Sequence, residues 1–267
     1  PVTMENVTSS RWMDFMERAL VVRTLATPYN KTDGLMAWGE TSNNSFEYQI
    51  GVFGGDGMNR MNIDNVFDGM GRMVFRPLAN RSDALKRFHI GVSGRIGGRD
   101  PSFVRYNAPN LTTPGGYAFW QSQYTDSGTK IDIIPSGAQG VIGGEFYVPF
   151  ERWDFRGEAY YAHEGRREAA DSDRATTLRK GLFWGYGAYA QLSWWPLGTP
   201  RINGNPAGKY GVLRVPDGPG LQAPYGLQVL LRAELMRMNY SGNERSGADR
   251  TPGSLSATTN NINVNAY

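Results

Sequence analysis

Residues 182–195 read Leu-Phe-Trp-Gly-Tyr-Gly-Ala-Tyr-Ala-Gln-Leu-Ser-Trp-Trp. In an extended chain successive side chains point to opposite faces, so every second residue shares a face. Trp184, Tyr186, Ala188, Ala190, Leu192 and Trp194 then lie together, with aromatics at both ends and small apolar residues between. A strand that crosses a bilayer needs this layout: an apolar band meets the acyl chains, and amphipathic rings sit at the two interfaces. The stretch predicts a membrane-spanning β-strand and sets the period to look for elsewhere.

The period recurs along the chain. In 153–161, Trp153, Phe155, Gly157, Ala159 and Tyr161 oppose Asp154, Arg156, Glu158 and Tyr160. In 228–237, Val229, Leu231, Ala233 and Leu235 oppose Arg232 and Glu234. In 140–150, Ile142, Phe146, Val148 and Phe150 oppose Glu145 and Tyr147, and in 46–52, Phe46, Tyr48, Ile50 and Val52 oppose Glu47 and Gln49. In 88–96, Phe88, Ile90, Val92 and Ile96 oppose His89, Ser93 and Arg95; in 71–77, Met73 and Phe75 oppose Arg72, Val74 and Arg76. Ile262, Val264 and Ala266 alternate with Asn261, Asn263, Asn265 and Tyr267. About ten strands follow, near 35–41, 45–53, 70–78, 87–97, 129–135, 140–150, 152–163, 181–195, 227–239 and 257–267, and the longer ones match a bilayer crossing of about 9–11 residues.

The connections differ in length. Those at 136–139 and 151–152 are tight, whereas 98–128, 164–180, 196–226 and 240–256 are long, polar and rich in Gly, Pro, Asn and Ser. Short turns at one end and long loops at the other is the layout of outer-membrane barrels. Residues 9–20, SSRWMDFMERAL, break the β pattern: Ser9 or Ser10 can cap, and Trp12, Phe15, Met16 and Leu20 fall at helical spacing. The expected fold is all-β, an antiparallel transmembrane β-barrel forming one domain over 1–267, with one short helix near the N-terminus folded into or over the pore.

Composition supports this class and excludes others. No stretch approaches the roughly 18 consecutive apolar residues of a transmembrane helix. The opening PVTMENVTSS has neither the charged start nor the apolar core of a signal peptide, so the chain is expected to begin after processing or in mid-protein. Cysteine is absent, which excludes disulfides, thiolate zinc sites and cysteine nucleophiles and suits passage through an oxidising periplasm. The 34 Gly, 14 Tyr, 12 Phe and 7 Trp are β-rich usage. Net charge is only +3, but the cations are 23 Arg and 5 Lys. Arginine binds oxyanions with a planar fork, where lysine acts as a point charge; a GC-rich genome would give the same bias.

No catalytic constellation stands out. His89 and His163 lie far apart and lack a metal-ligand spacing, and the glycine runs at 54–57 and 97–100 neither repeat in tandem nor lead into a clear helix. No catalytic residue, metal site, cofactor or nucleic-acid partner is expected. The ionic faces carry the chemistry instead. Arg72, Arg76, Arg95, Arg156 and Arg232 stand opposite the apolar face, where a barrel would hold water, and charges in a narrow low-dielectric lumen set ion selectivity. Glu47, Glu145, Asp154, Glu158 and Glu234 share that face and partly cancel them. The five arginines are the expected anion-binding, pore-lining residues; a structural lumen ion pair is the alternative role for each.

Three stretches carry a family resemblance. Residues 1–20, PVTMENVTSSRWMDFMERAL, are similar to a Pro-Phe-Ser-Leu-Glu, Thr-Ser-Ser, Phe-Met-Glu-Arg run of the phosphate-selective porins (porin O and P). Residues 185–202 resemble that family's late strand, although Pro196 to Arg201 depart from its Leu-Thr-Gly-Glu-x-Arg turn. Residues 226–240 resemble its Glu-Leu-Ala-Ala-Arg-Tyr strand, with Arg232 one position out of register. The landmarks occur in family order over nearly the whole chain. The resemblance implies a sixteen-stranded homotrimeric channel in the outer membrane of a Gram-negative bacterium, embedded in lipid and passing phosphate-like anions, phosphate or polyphosphate. It also implies that early strands precede Pro1 and that a closing strand follows Tyr267. A general diffusion porin without a binding site, a surface adhesion or scaffold barrel, and a barrel enzyme are the competing readings.

Overall fold

The structure, a computed structural model, describes residues 3–8, 13–26, 32–54, 66–100, 106–113, 115–197, 227–245 and 260–264. Its body is one antiparallel sheet. The strands are β1 (Gly34–Glu40), β2 (Phe46–Phe53), β3 (Asp68–Phe75), β4 (His89–Arg99), β8 (Thr129–Phe150), β9 (Trp153–Ala170), β10 (Arg179–Leu197), β11 (Leu227–Arg245) and β12 (Asn260–Val264), paired in that order. A short β7 (Gln123–Asp126) also pairs with β8, while β5 (Leu111–Thr112) and β6 (Ala118–Trp120) form a separate ribbon. Such a strand-by-strand meander is the wall of an up-and-down barrel; among the described residues, β1 and β12 do not pair with each other.

Local chemistry sets the hairpins. Ser127 and Gly128, between β7 and β8, both take positive φ, 50° and 81°, as a two-residue turn matching the strand twist demands. Glu151 (φ 47°) closes the β8–β9 turn and Asn44 (φ 57°) the β1–β2 turn. In the link between β3 and β4, Arg81 grips Asp83 through Nη2 to Oδ2 at 2.6 Å and Nε to Oδ1 at 3.0 Å, which holds the Asp83 carboxyl below its usual range.

The two faces of the sheet separate as the alternation predicts. On β11, Leu231 and Leu235 are 63% and 54% exposed, whereas Glu234 and Met236 are 8% and 3% exposed. Phe155, Tyr186 and Val229 share the outward face. At the tight-turn end Trp153 and Trp194 are cross-strand partners, stacked with centroids 5.1 Å apart and planes at 11°. At the other end Trp184 stacks on Tyr186 with centroids 6.2 Å apart. Ten residues separate Trp184 from Trp194, roughly 33 Å along a strand; with a tilt of about 40° that gives an apolar band roughly 25 Å tall, the height of a barrel's lipid belt.

Several expectations need correction. Residues 129–135 and 140–150 are not two strands. They form the single 22-residue β8, and 136–139 is an irregularity in its register between Pro135 and Gln139. The stretch 136–139 read as a tight link, but Gly137 (φ 70°) serves a bulge that leaves the strand running on. Strand β9 continues to Ala170 and β10 begins at Arg179, so their connection is shorter than the loop read over 164–180. The length alternation is also imperfect: the connection from β10 to β11 leaves from the same end of the sheet as the tight turns 41–45 and 151–152. Residues 13–19 are not helical; α1 (Met4–Val7) and α2 (Leu20–Leu25) lie to either side of them, and residues 9–12 of the expected helix lie outside the described residues. Among the described residues no helix is long and apolar enough to cross a membrane.

Leu235 pairs with Ala188, midway between the two aromatic levels. Leu235→Arg should cost about 2–4 kcal/mol of folding stability in a bilayer, read by urea titration in lipid vesicles, while Leu235→Phe should be nearly neutral. Equal losses for the two variants would contradict the lipid-facing assignment.

Candidate functional site

The inward face is built in rows, because cross-strand partners in register point the same way. One row runs Glu47, Val74, Gly91, Glu145, Glu158, Tyr189 and Glu234 across β2, β3, β4, β8, β9, β10 and β11. The row on its tight-turn side runs His89, Tyr147, Arg156, Gln191 and Arg232. The row on its other side runs Gln49, Arg72, Ser93, Gly143, Tyr160, Gly187 and Met236. All five arginines expected from the sequence are therefore on this face, and Arg72, Arg76, Arg95 and Arg156 are buried.

Each of the five has a carboxylate partner. Arg72 makes a fork on Glu145, with Nε to Oε2 at 2.9 Å and Nη2 to Oε1 at 2.5 Å, and its Nη1 stands 3.4 Å from Glu47 Oε1. Arg76 donates to Glu47 Oε2 at 2.6 Å, so Arg72 and Arg76 share one acid. Arg95 donates to Asp68 Oδ2 at 2.6 Å and to Glu164 Oε1 at 3.4 Å. Arg156 is ion-paired with Asp14 through Nη2 and lies 3.5 Å from Asp154 through Nε. Arg232 meets Glu234 at 3.0 Å, lies with its guanidinium carbon 4.4 Å from the Phe15 ring centre, and donates to the Glu17 carbonyl at 2.9 Å. His89, on the same face, has Nε2 3.3 Å from Glu145 Oε1.

Partners drawn from residues 3–8 and 13–26 decide what occupies the face. Three wall glutamates accept backbone N–H groups from this segment. Glu145 Oε2 takes Met4 N at 3.2 Å, Glu158 Oε2 takes Glu5 N at 3.2 Å, and Glu234 Oε2 takes Leu20 N at 2.6 Å and Val21 N at 3.3 Å. Those N–H groups belong to the first turns of α1 and α2, which have no partners inside their own helices. The segment is tied to itself as well: Ala19 N donates to Glu5 Oε1 at 3.1 Å, and Arg18 donates to the Glu5 and Thr8 carbonyls. Further from the tight turns α2 buries Leu20, Val21, Val22 and Leu25 against Tyr160, Ala162, Tyr189, Met236 and Met238. The close approach depends on Gly185 and Gly187. A Cβ at Gly185 would fall 2.9 Å from Leu25 Cδ2, and one at Gly187 2.7 Å from Val21 Cγ2.

Sequence reasoning missed a second charged cluster beyond this point. Arg99, Arg166 and Arg179 are buried with Asp68, Glu164 and Glu168, and Glu168 accepts from Tyr124 and Tyr240 hydroxyls at 2.9 Å each. Arg99 fell in the loop read over 98–128, and Glu164, Arg166, Glu168 and Arg179 in the loop read over 164–180. The signal available was the run Glu164, Arg166, Glu168, which keeps the period of two. Among the described residues no three His, Cys, Asp or Glu side chains converge as metal ligands.

An antiparallel wall with an aromatic-edged apolar outer face and a buried ionic inner face, narrowed by a segment lying against it, defines a porin-type β-barrel. The family model for the phosphate-selective porins O and P matches residues 1–225, and the chain belongs to that family, a family of outer-membrane channels. Neither a curated protein nor a solved structure matches it.

The fork between Arg72 and Glu145 gives a stability test. Arg72→Gln leaves Glu145 buried without its main cation and should cost about 3–5 kcal/mol, whereas Arg72→Gln with Glu145→Gln should recover part of that loss. The comparison is made by urea unfolding in vesicles; equal losses would show that the pair is not the cause.

Proposed function

We propose that the chain lines a channel passing small anions, phosphate or polyphosphate among them, through the outer membrane of a Gram-negative bacterium. It does so as one subunit of a homotrimer, with no catalytic role. Family membership supports this reading, and one observation carries it: guanidinium groups recur at successive levels of the inner face. Arg76, Arg156 and Arg232 stand near the tight turns, Arg72 beyond them, and Arg95 and then Arg99, Arg166 and Arg179 further on. Arginine stays protonated at any working pH and offers oxyanions two parallel N–H donors. An anion can step between such groups by exchanging places with their carboxylate partners.

The same pairing favours a second reading. With a carboxylate on each of the five arginines, their first duty is to neutralise buried charge, and a general diffusion channel would need nothing more. The matched charges predict modest rather than steep selectivity. Zero-current potentials of the full-length protein across a salt gradient decide the matter. An anion-selective wild type is expected, weakened when Arg72, Arg76 and Arg156 are changed to Gln, with insertions closing in three equal steps. A cation-selective wild type refutes the reading, unchanged selectivity in the triple variant removes those arginines from the mechanism, and single-step closure refutes the trimer.

A further inference from the structure

The Asp14 carboxylate sits in a cradle of donors from three consecutive strands. Arg156 of β9 holds it by an ion pair, Gln191 of β10 donates Nε2 to its Oδ2 at 2.9 Å, and Gln228 of β11 donates Nε2 to its Oδ1 at 3.1 Å. The cradle is itself held in shape. Arg156 and Gln191 are register partners, Asp154 braces Arg156 from 3.5 Å, and Gln228 also donates to Ser193 Oγ at 2.9 Å. The Asp14 side chain is only 5% exposed. A guanidinium and two amides converging on both oxygens of a buried carboxylate form an oxyanion receptor, and its present occupant is a residue of the protein's own inward segment.

We propose that Arg156, Gln191 and Gln228 form an oxyanion seat that Asp14 occupies as a tethered stand-in, and that a free phosphate-class oxyanion takes the seat by displacing Asp14. The inference rests on the anion-channel reading and adds a guarded site to it. Three physical points lead there. First, the cavity beside the seat, lined by Asp14, Phe15, Arg156, Gln191 and Arg232, is about 20 Å³. That is room for about one water, so a tetrahedral oxyanion cannot bind next to Asp14 and must replace it. Second, the exchange conserves charge. Withdrawing Asp14 without a replacement would strip a buried guanidinium of an ion partner, which is costly; an incoming oxyanion restores the pair. Third, Arg232 and Phe15 lie against each other at the same cavity, so departure of Asp14 loosens the segment's cation–π contact and widens the path at that level.

A tethered ligand competes through its effective concentration, and a free ligand binds only in proportion to the fraction of seats left open. If Asp14 fills the seat about nine-tenths of the time, removing its charge should tighten free-anion binding roughly tenfold. The test uses the full-length protein in planar bilayers, with chloride as carrier and inorganic phosphate as blocker. Asp14→Asn and Asp14→Ala should each lower the half-blocking phosphate concentration by about tenfold or more, provided they show wild-type heat-modifiable migration on a gel. Adding Arg156→Gln to Asp14→Asn should return it to the wild-type value or above. Glu17→Gln removes an equal charge from the same segment, from a side chain that pairs with Arg23 at 3.4 Å instead of entering the seat, and should leave the value within about twofold. Unchanged phosphate block in both Asp14 variants overturns the proposal, as does an equal shift in Glu17→Gln, which would reduce the effect to general electrostatics. Tight block persisting in Asp14→Asn/Arg156→Gln also overturns it. An anion-selective wild type accompanying any of these failures leaves the channel reading standing, whereas a cation-selective wild type defeats that reading first.

Discussion

Glu145 and Glu158 face each other as direct cross-strand partners on the buried side of the sheet. Like charges so placed repel, and burial strengthens the repulsion. The structure around them answers that one problem. Arg72 puts a fork on Glu145, the Tyr189 hydroxyl donates to Glu158 Oε2 at 2.9 Å, and the first-turn N–H groups of α1 divide between the two acids. A helix start carries a partial positive charge and donors with no internal partner. An acid row on the wall and a helix start in the lumen therefore complete each other, and Glu234 repeats the arrangement for α2.

This constraint explains why the inward face changes character along the barrel axis. Where the segment brings backbone donors, the wall presents Glu145, Glu158 and Glu234. Where α2 brings Val21 and Leu25, the wall presents Gly185, Gly187, Met236 and Met238. Burying those aliphatic side chains contributes about 1.5–3 kcal/mol each, so the segment is held by packing as well as by charge. Nearer the tight turns it presents Asp14, and the wall answers with Arg156, Gln191 and Gln228. The cations and acids of the inner face thus hold the segment in place.

The outer face was legible in the sequence because lipid imposes one requirement on every second residue. Trp184 to Trp194 and Trp153 to Tyr161 could be placed on it without any knowledge of neighbours. The inward placement of Arg72, Arg76, Arg95, Arg156 and Arg232 followed from the same period. What could not be read was who meets whom. Met4 reaches Glu145 across 141 residues and Leu20 reaches Glu234 across 214, and backbone donors leave no mark in side-chain patterning. The acids consequently looked like charges that merely offset the arginines. Local rules also misled at 136–139, read as a tight link where Gly137 makes a bulge, and beyond His163, where ionic residues on an emerging strand resembled a loop. The N-terminal stretch read as helical over residues 9–20, yet among the described residues contacts with the wall accompany helical turns at Met4–Val7 and Leu20–Leu25.

The central claim is that residues 3–8 and 13–26 lie against the inner face of β8 to β11. The absence of cysteine makes it directly testable by cross-linking. A Cβ at Gly187 would sit 2.7 Å from Val21 Cγ2, and Val21→Cys removes that methyl, so the double variant relieves the clash and leaves two thiols side by side. Val21→Cys with Gly187→Cys, in the folded full-length protein, should cross-link on mild oxidation or with a short bis-maleimide, and either single variant should not. A folded barrel in which neither reagent joins the pair would contradict the account.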